Sequence, residues 1–247
     1  MSEELEVLLR EADRKKAELA EKPELAPEAE EACRERFLYE SVYCNNAIEG
    51  NQLILEEVER LLKNDEVVAG KSLSDHVSIV GYRDAMLLCD YYVRQDMRIS
   101  EHEIRKLHYR MLINRQDISG EYRNFNMMIK GHRPTSPEKI SYKMLQLVEA
   151  KPTEHAHPIE TTAFFHLRIE KIHPFADGNG RVGRLLINVM LEQAGYPAVI
   201  IKPDDRMEYY QALDAYDGLN GNPQVKPMQV LLAKLVNRRL DELLALQ

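Results

Sequence analysis

The 247-residue chain predicts an all-α fold: a multi-helix core with one small β-hairpin. Three observations carry this. Apolar residues recur at helical spacing nearly throughout. Helix start and stop residues punctuate the pattern. A single interval, Arg115 to Pro137, breaks it. Leu5, Leu8, Leu9 and Ala12 mark a first amphipathic helix that fades before Pro23 and Pro27. A second helix begins at Pro27, well placed in a first turn, and runs to about Asn45. Gly50 is a helix stop. A short helix is expected at about 55–64 and a long one from Ser74 to about Asp96. Ser100 and Glu103 form a capping box for the next, ending near Ile113. In the broken interval, Gly120, Gly131, Pro134 and Pro137 surround Asn126–Lys130, the hairpin candidate. Helices resume at about 138–150, 158–172, 179–195, 204–217 and 224–245.

Composition narrows the function classes. Hydrophobic residues make up 44% and charged residues 30%, ordinary for a globular protein and unlike a disordered or fibrous one. No apolar run reaches 18 residues and the N-terminus lacks a leader pattern, so a soluble cytoplasmic protein without a membrane partner is expected. Cys33, Cys44 and Cys89 have no CxxC spacing and read as reduced thiols. The net charge is −8, and residues 1–40 hold thirteen acids against seven bases. That acidity reads as a solvated helix face, and the body lacks the basic stripe of a nucleic-acid binder.

One stretch concentrates chemistry: His173-Pro174-Phe175-Ala176-Asp177-Gly178-Asn179-Gly180-Arg181-Val182-Gly183-Arg184. It contains G-x-G-x-x-G, yet the preceding residues read as helix and no βαβ alternation surrounds it, so a dinucleotide-binding turn does not fit. Small residues entering a helix let backbone N–H groups converge on an anion, and the helix N-terminus adds positive potential. Arg181 and Arg184, three apart, share a face and reach one polyphosphate. Asp177 is a hard carboxylate suited to a magnesium ion already bridged by phosphates. His173 is placed to take a proton from a hydroxyl near neutral pH.

The stretch resembles the signature of the Fic (Fido) family, H-x-F-x-D/E-G-N-G-R-x-x-R, at every fixed position. Gly120-Glu121-Tyr122-Arg123 to Ser136-Pro137 resembles the family's flap, and about residues 37–235 are covered. The resemblance implies the Fic fold and transfer of AMP from ATP to a Ser, Thr or Tyr hydroxyl of a target protein, releasing pyrophosphate. It implies His173 as the base and Asp177 as ligand of Mg²⁺ (or Mn²⁺). Gly178, Asn179, Gly180, Arg181 and Arg184 would hold the phosphates. Tyr210 would contact adenine, and Met127, Met128 and Ile129 would form the target-binding flap. Gly180, where a phosphotransferase branch carries Lys, implies nucleotidyl transfer.

Asn45 to Gly50 resembles the family's inhibitory helix, S/T-x-x-x-E-G/N, with Asn45 departing at the first position. The resemblance implies that Glu49 pairs with Arg184 and blocks productive ATP, while Asn45 caps or hydrogen-bonds locally. The organisation expected is an N-terminal helical extension at 1–36, a catalytic domain at 37–235 including the inhibitory segment 41–51, and a helix end at 236–247. Partner expectations are ATP, a hydroxyl-bearing target, self-modification and a homodimer, without nucleic acid. Two other readings stay open: removal of AMP, with Glu49 positioning water, and a nucleotide-binding regulatory module with little turnover.

Overall fold

A computed structural model describes residues 3–129, 133–150, 156–217 and 222–247. Ten α-helices lie among them: α1 (Glu3–Ala20), α2 (Pro27–Ile48), α3 (Leu55–Asn64), α4 (Leu73–Arg94), α5 (Glu101–Met111), α6 (Ile140–Glu149), α7 (Pro158–Ile172), α8 (Asn179–Gln193), α9 (Arg206–Asp217) and α10 (Lys226–Leu244). Short 3₁₀ turns, Pro137–Lys139 and Pro203–Asp205, lead into α6 and α9.

The boundaries follow local chemistry. Pro27 occupies the first turn of α2, where its missing N–H costs nothing. Ser100 and Glu103 cap α5 reciprocally, as expected. Most edges fall within one to three residues of the sequence reading, and two of the shifts have a local cause. Helix α4 starts at Leu73 because Ser72 is its cap, accepting from the Asp75 N–H. Helix α2 continues past Asn45 to Ile48: Asn45 and Asn46 donate their amides to the carbonyls of Ser41 and Val42, both at 2.9 Å. Gly50, with φ of +92°, then takes the left-handed turn that ends it.

The hairpin expected at Asn126–Lys130 runs into residues outside the described ones, beginning at Lys130. The base of the segment is tied to the signature. Tyr122 makes a single antiparallel bridge with Phe175, and the Arg123 N–H donates to the Pro174 carbonyl at 2.9 Å. An isolated two-stranded ribbon has little stability of its own, so the segment takes its support from the loop beneath.

Two apolar clusters hold the helices. One gathers Val58, Ile79, Tyr82, Leu107, Met111 and Met144 from α3 to α6. The other joins Leu5, Leu9 and Ala12 of α1 to Tyr209 and Ala212 of α9 and to Met228, Leu232 and Val236 of α10. The α7–α8 pair enters both. Ile169, Ile172, Val182 and Leu186 belong to the first cluster, whereas Ile159, Leu167, Ile187 and Leu191 belong to the second. The loop between α7 and α8 is therefore anchored on both sides. Helix α1 packs in parallel along α10, with Lys15 reaching Asp241 at 2.7 Å and Asn237 donating to the Leu8 carbonyl at 2.9 Å.

Candidate active site

The α7–α8 loop is shaped by positive backbone angles at both ends. His173 caps α7 with φ of +50° and ψ of +63°, its N–H bonded to the Ile169 carbonyl at 2.8 Å. A histidine in this conformation leaves the helix direction abruptly, which places its ring on a cleft rather than along α7. Gly178 precedes α8 with φ of +77°, and a β-carbon there would stand 2.8 Å from the Met111 side chain. The first intrahelical bond of α8 is Val182 N–H to the Gly178 carbonyl. The N–H groups of Asn179, Gly180 and Arg181 precede it, as donors do at any helix start. Their place at the start of α8 is the one where the sequence reading expects an anion cradle.

The loop is braced by side chains. Asn179 accepts the Phe175 N–H and donates to the Phe175 carbonyl, both at 2.9 Å. Its side-chain amide therefore holds the loop. Buried His108 accepts the Gly120 N–H through Nδ1 at 2.8 Å, so Nε2 carries the proton and donates to the Asp177 carbonyl at 2.9 Å. Its ring stacks on Phe175 with centroids 3.8 Å apart. Burial holds it neutral, its pKa lowered to about 4. Arg123, also buried, donates to the carbonyls of His173 and Phe125 at 2.8 Å and to that of Thr135. The flap base and the His173 turn are thus one hydrogen-bonded unit. Only the stacked geometry exposes the role of His108, for which the sequence offered no signal.

The two arginines are buried and anchored. Arg181 reaches the Ser78 hydroxyl at 3.0 Å and Asp177 Oδ2 at 3.4 Å. Arg184 donates from Nη2 to Glu49 Oε1 at 2.7 Å, from Nε to Asn45 Oδ1 at 2.6 Å, and from Nη2 to the Asn45 carbonyl at 3.2 Å. Asn45 therefore does more than cap locally: it spans from α2 to α8. Burial opposes the Arg184 charge, but Tyr209 and Glu49 outweigh it and hold the guanidinium protonated. Gly180 makes room for this pairing, since a β-carbon there would stand 2.9 Å from Arg184 Nη1 and 3.0 Å from Glu49 Oε1.

Glu49, His173, Gly180, Arg184, Tyr210 and Ile129 line one cleft of about 210 Å³, together with Tyr209, Tyr216, Glu170, Asp214 and Asp217. Asp177 stands at the rim of the cradle, half exposed. Met128 is exposed on the flap, and Met127 is partly covered. Beneath the cleft, His166 bonds the Tyr209 hydroxyl at 2.9 Å and is kept neutral by burial, its pKa lowered to about 3. Burial pushes the carboxyl of Glu170 up to about 7.

No group of three or more His, Cys, Asp or Glu side chains able to hold a metal lies among the described residues. The donor set at the rim is one hard carboxylate. That fits an ion whose remaining ligands are phosphate oxygens and water, as magnesium prefers.

Compared with known proteins, residues 98–191 match the Fic/DOC family. A protein adenylyltransferase Fic from Nematostella vectensis is 30% identical over 243 residues, covering 96% of this chain and 56% of that protein. Fic-1 from C. elegans superposes with a TM-score of 0.86 at 27% identity, covering 98% of this chain and 72% of that one. A Fic-domain-containing signalling protein from Bacteroides thetaiotaomicron gives the same TM-score at 26% identity, covering 97% and 96%. The chain spans about half the length of the curated relatives it matches. The matched segment runs from α5 through the α7–α8 loop into α8 and is a Fic/DOC-family segment, and the chain around it shares the fold of these Fic proteins.

Proposed function

We propose that the protein is an adenylyltransferase that moves AMP from ATP onto a hydroxyl of a target protein and is restrained by Glu49. The single observation carrying this is the Glu49–Arg184 pair lying directly over Gly180 of the anion cradle. Curated relatives named as protein adenylyltransferases support the reaction class. His173 takes the proton from the attacking hydroxyl, which turns the oxygen toward the α-phosphate. The first-turn N–H groups of α8 and the Arg181 guanidinium hold the phosphates in line, which is most of what such a transfer requires. Asp177 would hold Mg²⁺ (or Mn²⁺), which when bound neutralises phosphate charge. Tyr210, on the lining of the cleft, receives the base. The exposed Met128 and the Ile129 side chain on the cleft guide an extended target segment.

Restraint follows from space and charge. A cleft of about 210 Å³ is smaller than the roughly 300–1,000 Å³ of ordinary ligand pockets, and Arg184 is already paired. A γ-phosphate must displace Glu49 to reach it. The magnitude is bounded by exposure. Arg184 is 4% exposed but Glu49 is 39% exposed, so the pair falls short of the ~3–5 kcal/mol of a fully buried one.

The test is transfer of labelled AMP by wild-type and Glu49→Gly proteins at equal MgATP, read on lysate proteins and on the chain itself. Increased labelling by the variant supports the reading, and none from a folded variant overturns it. Removal of AMP is a second reading, favoured by Glu49 and His173 lining one cleft. It requires that Glu49→Gly lose de-modification while gaining transfer.

A further inference from the structure

We propose that Asn45 is a positioning residue for Arg184 in the released, nucleotide-bound protein, and not a second part of the brake. The proposal rests on the reading above that Arg184 receives a phosphate. Two side chains at the end of α2 hold the guanidinium, with the Asn45 carbonyl as a third, longer acceptor, and the two differ in kind. Glu49 takes Nη2 from the C-cap position, beside Gly50 at φ of +92°, with 39% of its side chain exposed. Asn45 takes Nε at 2.6 Å from one turn inside the helix, where it is 3% exposed. Its amide is fixed as well, because Nδ2 donates to the Ser41 carbonyl at 2.9 Å. That bond leaves Oδ1 as the atom facing Arg184. Glu49 can therefore swing out at the helix end while Asn45 stays.

What Asn45 preserves is aim. With Nε tied to Oδ1, the guanidinium plane is set, and Nη1 lies 2.9 Å from where a Gly180 β-carbon would stand, beside the anion cradle. Loss of Glu49 frees one N–H of Nη2 on the same side, the other staying with the Asn45 carbonyl at 3.2 Å. A phosphate then meets two donors of a planar fork already oriented, the geometry in which arginine binds oxyanions best. Asn46 does the equivalent for the other arginine: its Oδ1 accepts from Ser78 at 2.7 Å, and Ser78 accepts from Arg181 at 3.0 Å. A Ser or Thr hydroxyl at position 45 stops one bond short of Asn45 Oδ1, so the departure from the inhibitory pattern adds reach.

The experiment compares Glu49→Gly with Glu49→Gly/Asn45→Ala and Glu49→Gly/Asn45→Ser. Transfer is measured against MgATP, and ATP and ADP are titrated calorimetrically. Loss of aim should raise KM for MgATP at least fivefold, with kcat changing less than threefold. ATP affinity should fall by a similar factor, with ADP affinity held within twofold, since ADP lacks the γ-phosphate. Equal loss of ATP and ADP, an unchanged KM, or higher transfer than Glu49→Gly alone would each overturn the proposal. The titrations read Asn45 even if Glu49→Gly shows no transfer, an outcome that condemns the functional reading instead. Should both Asn45 variants fail to fold, a crystal structure of Glu49→Gly with a non-hydrolysable ATP analogue decides. The Nε–Oδ1 contact kept supports the role, and its loss removes it.

Discussion

His173 reaches the cleft through a backbone conformation few side chains adopt, so its replacement tests chemistry and turn together. His173→Ala, measured in the Glu49→Gly background, should lower kcat for transfer by about 10²–10⁴-fold, the usual worth of a general base. Nucleotide affinity should change little, and full transfer by this variant would exclude the assigned proton acceptor. Glu49→Gly alone should raise labelling at least tenfold, equivalent to about 1.4 kcal/mol, read by mass spectrometry of the labelled products. A rise of several thousandfold would mean that the half-exposed pair is far stronger than its solvation allows. Asp177→Ala should weaken binding of MgATP but leave metal-free ATP binding unchanged, which titration with and without chelator resolves. The signature residues were readable because each carries a side-chain type suited to one task. Asn45 was not, since nothing local says that its amide reaches across to another helix.

At the scale of elements, the flap and the catalytic loop share hydrogen bonds through Arg123 and His108, so they should respond as a unit. Met128→Pro should reduce target modification more than ATP binding, because an extended segment docks by main-chain bonds. Parallel assays of labelling and nucleotide affinity check this, and equal losses would place docking elsewhere. Helix positions were legible because apolar spacing and caps are local signals; Ser100 with Glu103 illustrates both. The hairpin candidate runs into Lys130, outside the described residues, so what the structure describes is the base of the segment and what lies beneath it. Here Tyr122 spends its bridge on Phe175 and Arg123 its N–H on Pro174. The end of α2 was missed because asparagine reads as a breaker, whereas Asn45 and Asn46 bond back to the preceding turn.

Across the whole molecule, buried titratable groups set a pH window. His108 and His166 have pKa values lowered to about 4 and about 3 by burial. The unfolded chain binds protons at these sites below about 6.5 while the native state does not, so their contribution to stability is lost as pH falls. Glu170 and Glu192 are raised to about 7, chiefly by burial. Their native forms keep protons that the unfolded chain releases above about 4.5, so stability falls as pH rises toward 7. The two pairs oppose each other between about 4.5 and 6.5, and a flat stability profile is expected there. Glu170→Gln should raise Tm more at pH 7.5 than at pH 5, and thermal melts across that range provide the check. An equal shift at both would show that Glu170 is ionised in the folded state. Among the described residues no helix is long and apolar enough to cross a membrane.

The parallel pairing of α1 with α10 has a mechanical consequence. Glu4 lies beside Lys234, Leu8 beside Asn237 and Lys15 beside Asp241, so the two ends of the described chain leave this interface in opposite directions. Force applied through Glu3 and Leu244 runs along the helix axes and loads every contact at once, as shear, instead of peeling them one by one. Single-molecule extension from these points should therefore meet its main resistance at the outset, before any helix of the α7–α8 pair is stretched. Pulling instead from Glu3 and Lys226, which peels α1 from one end, should open the same interface at lower force.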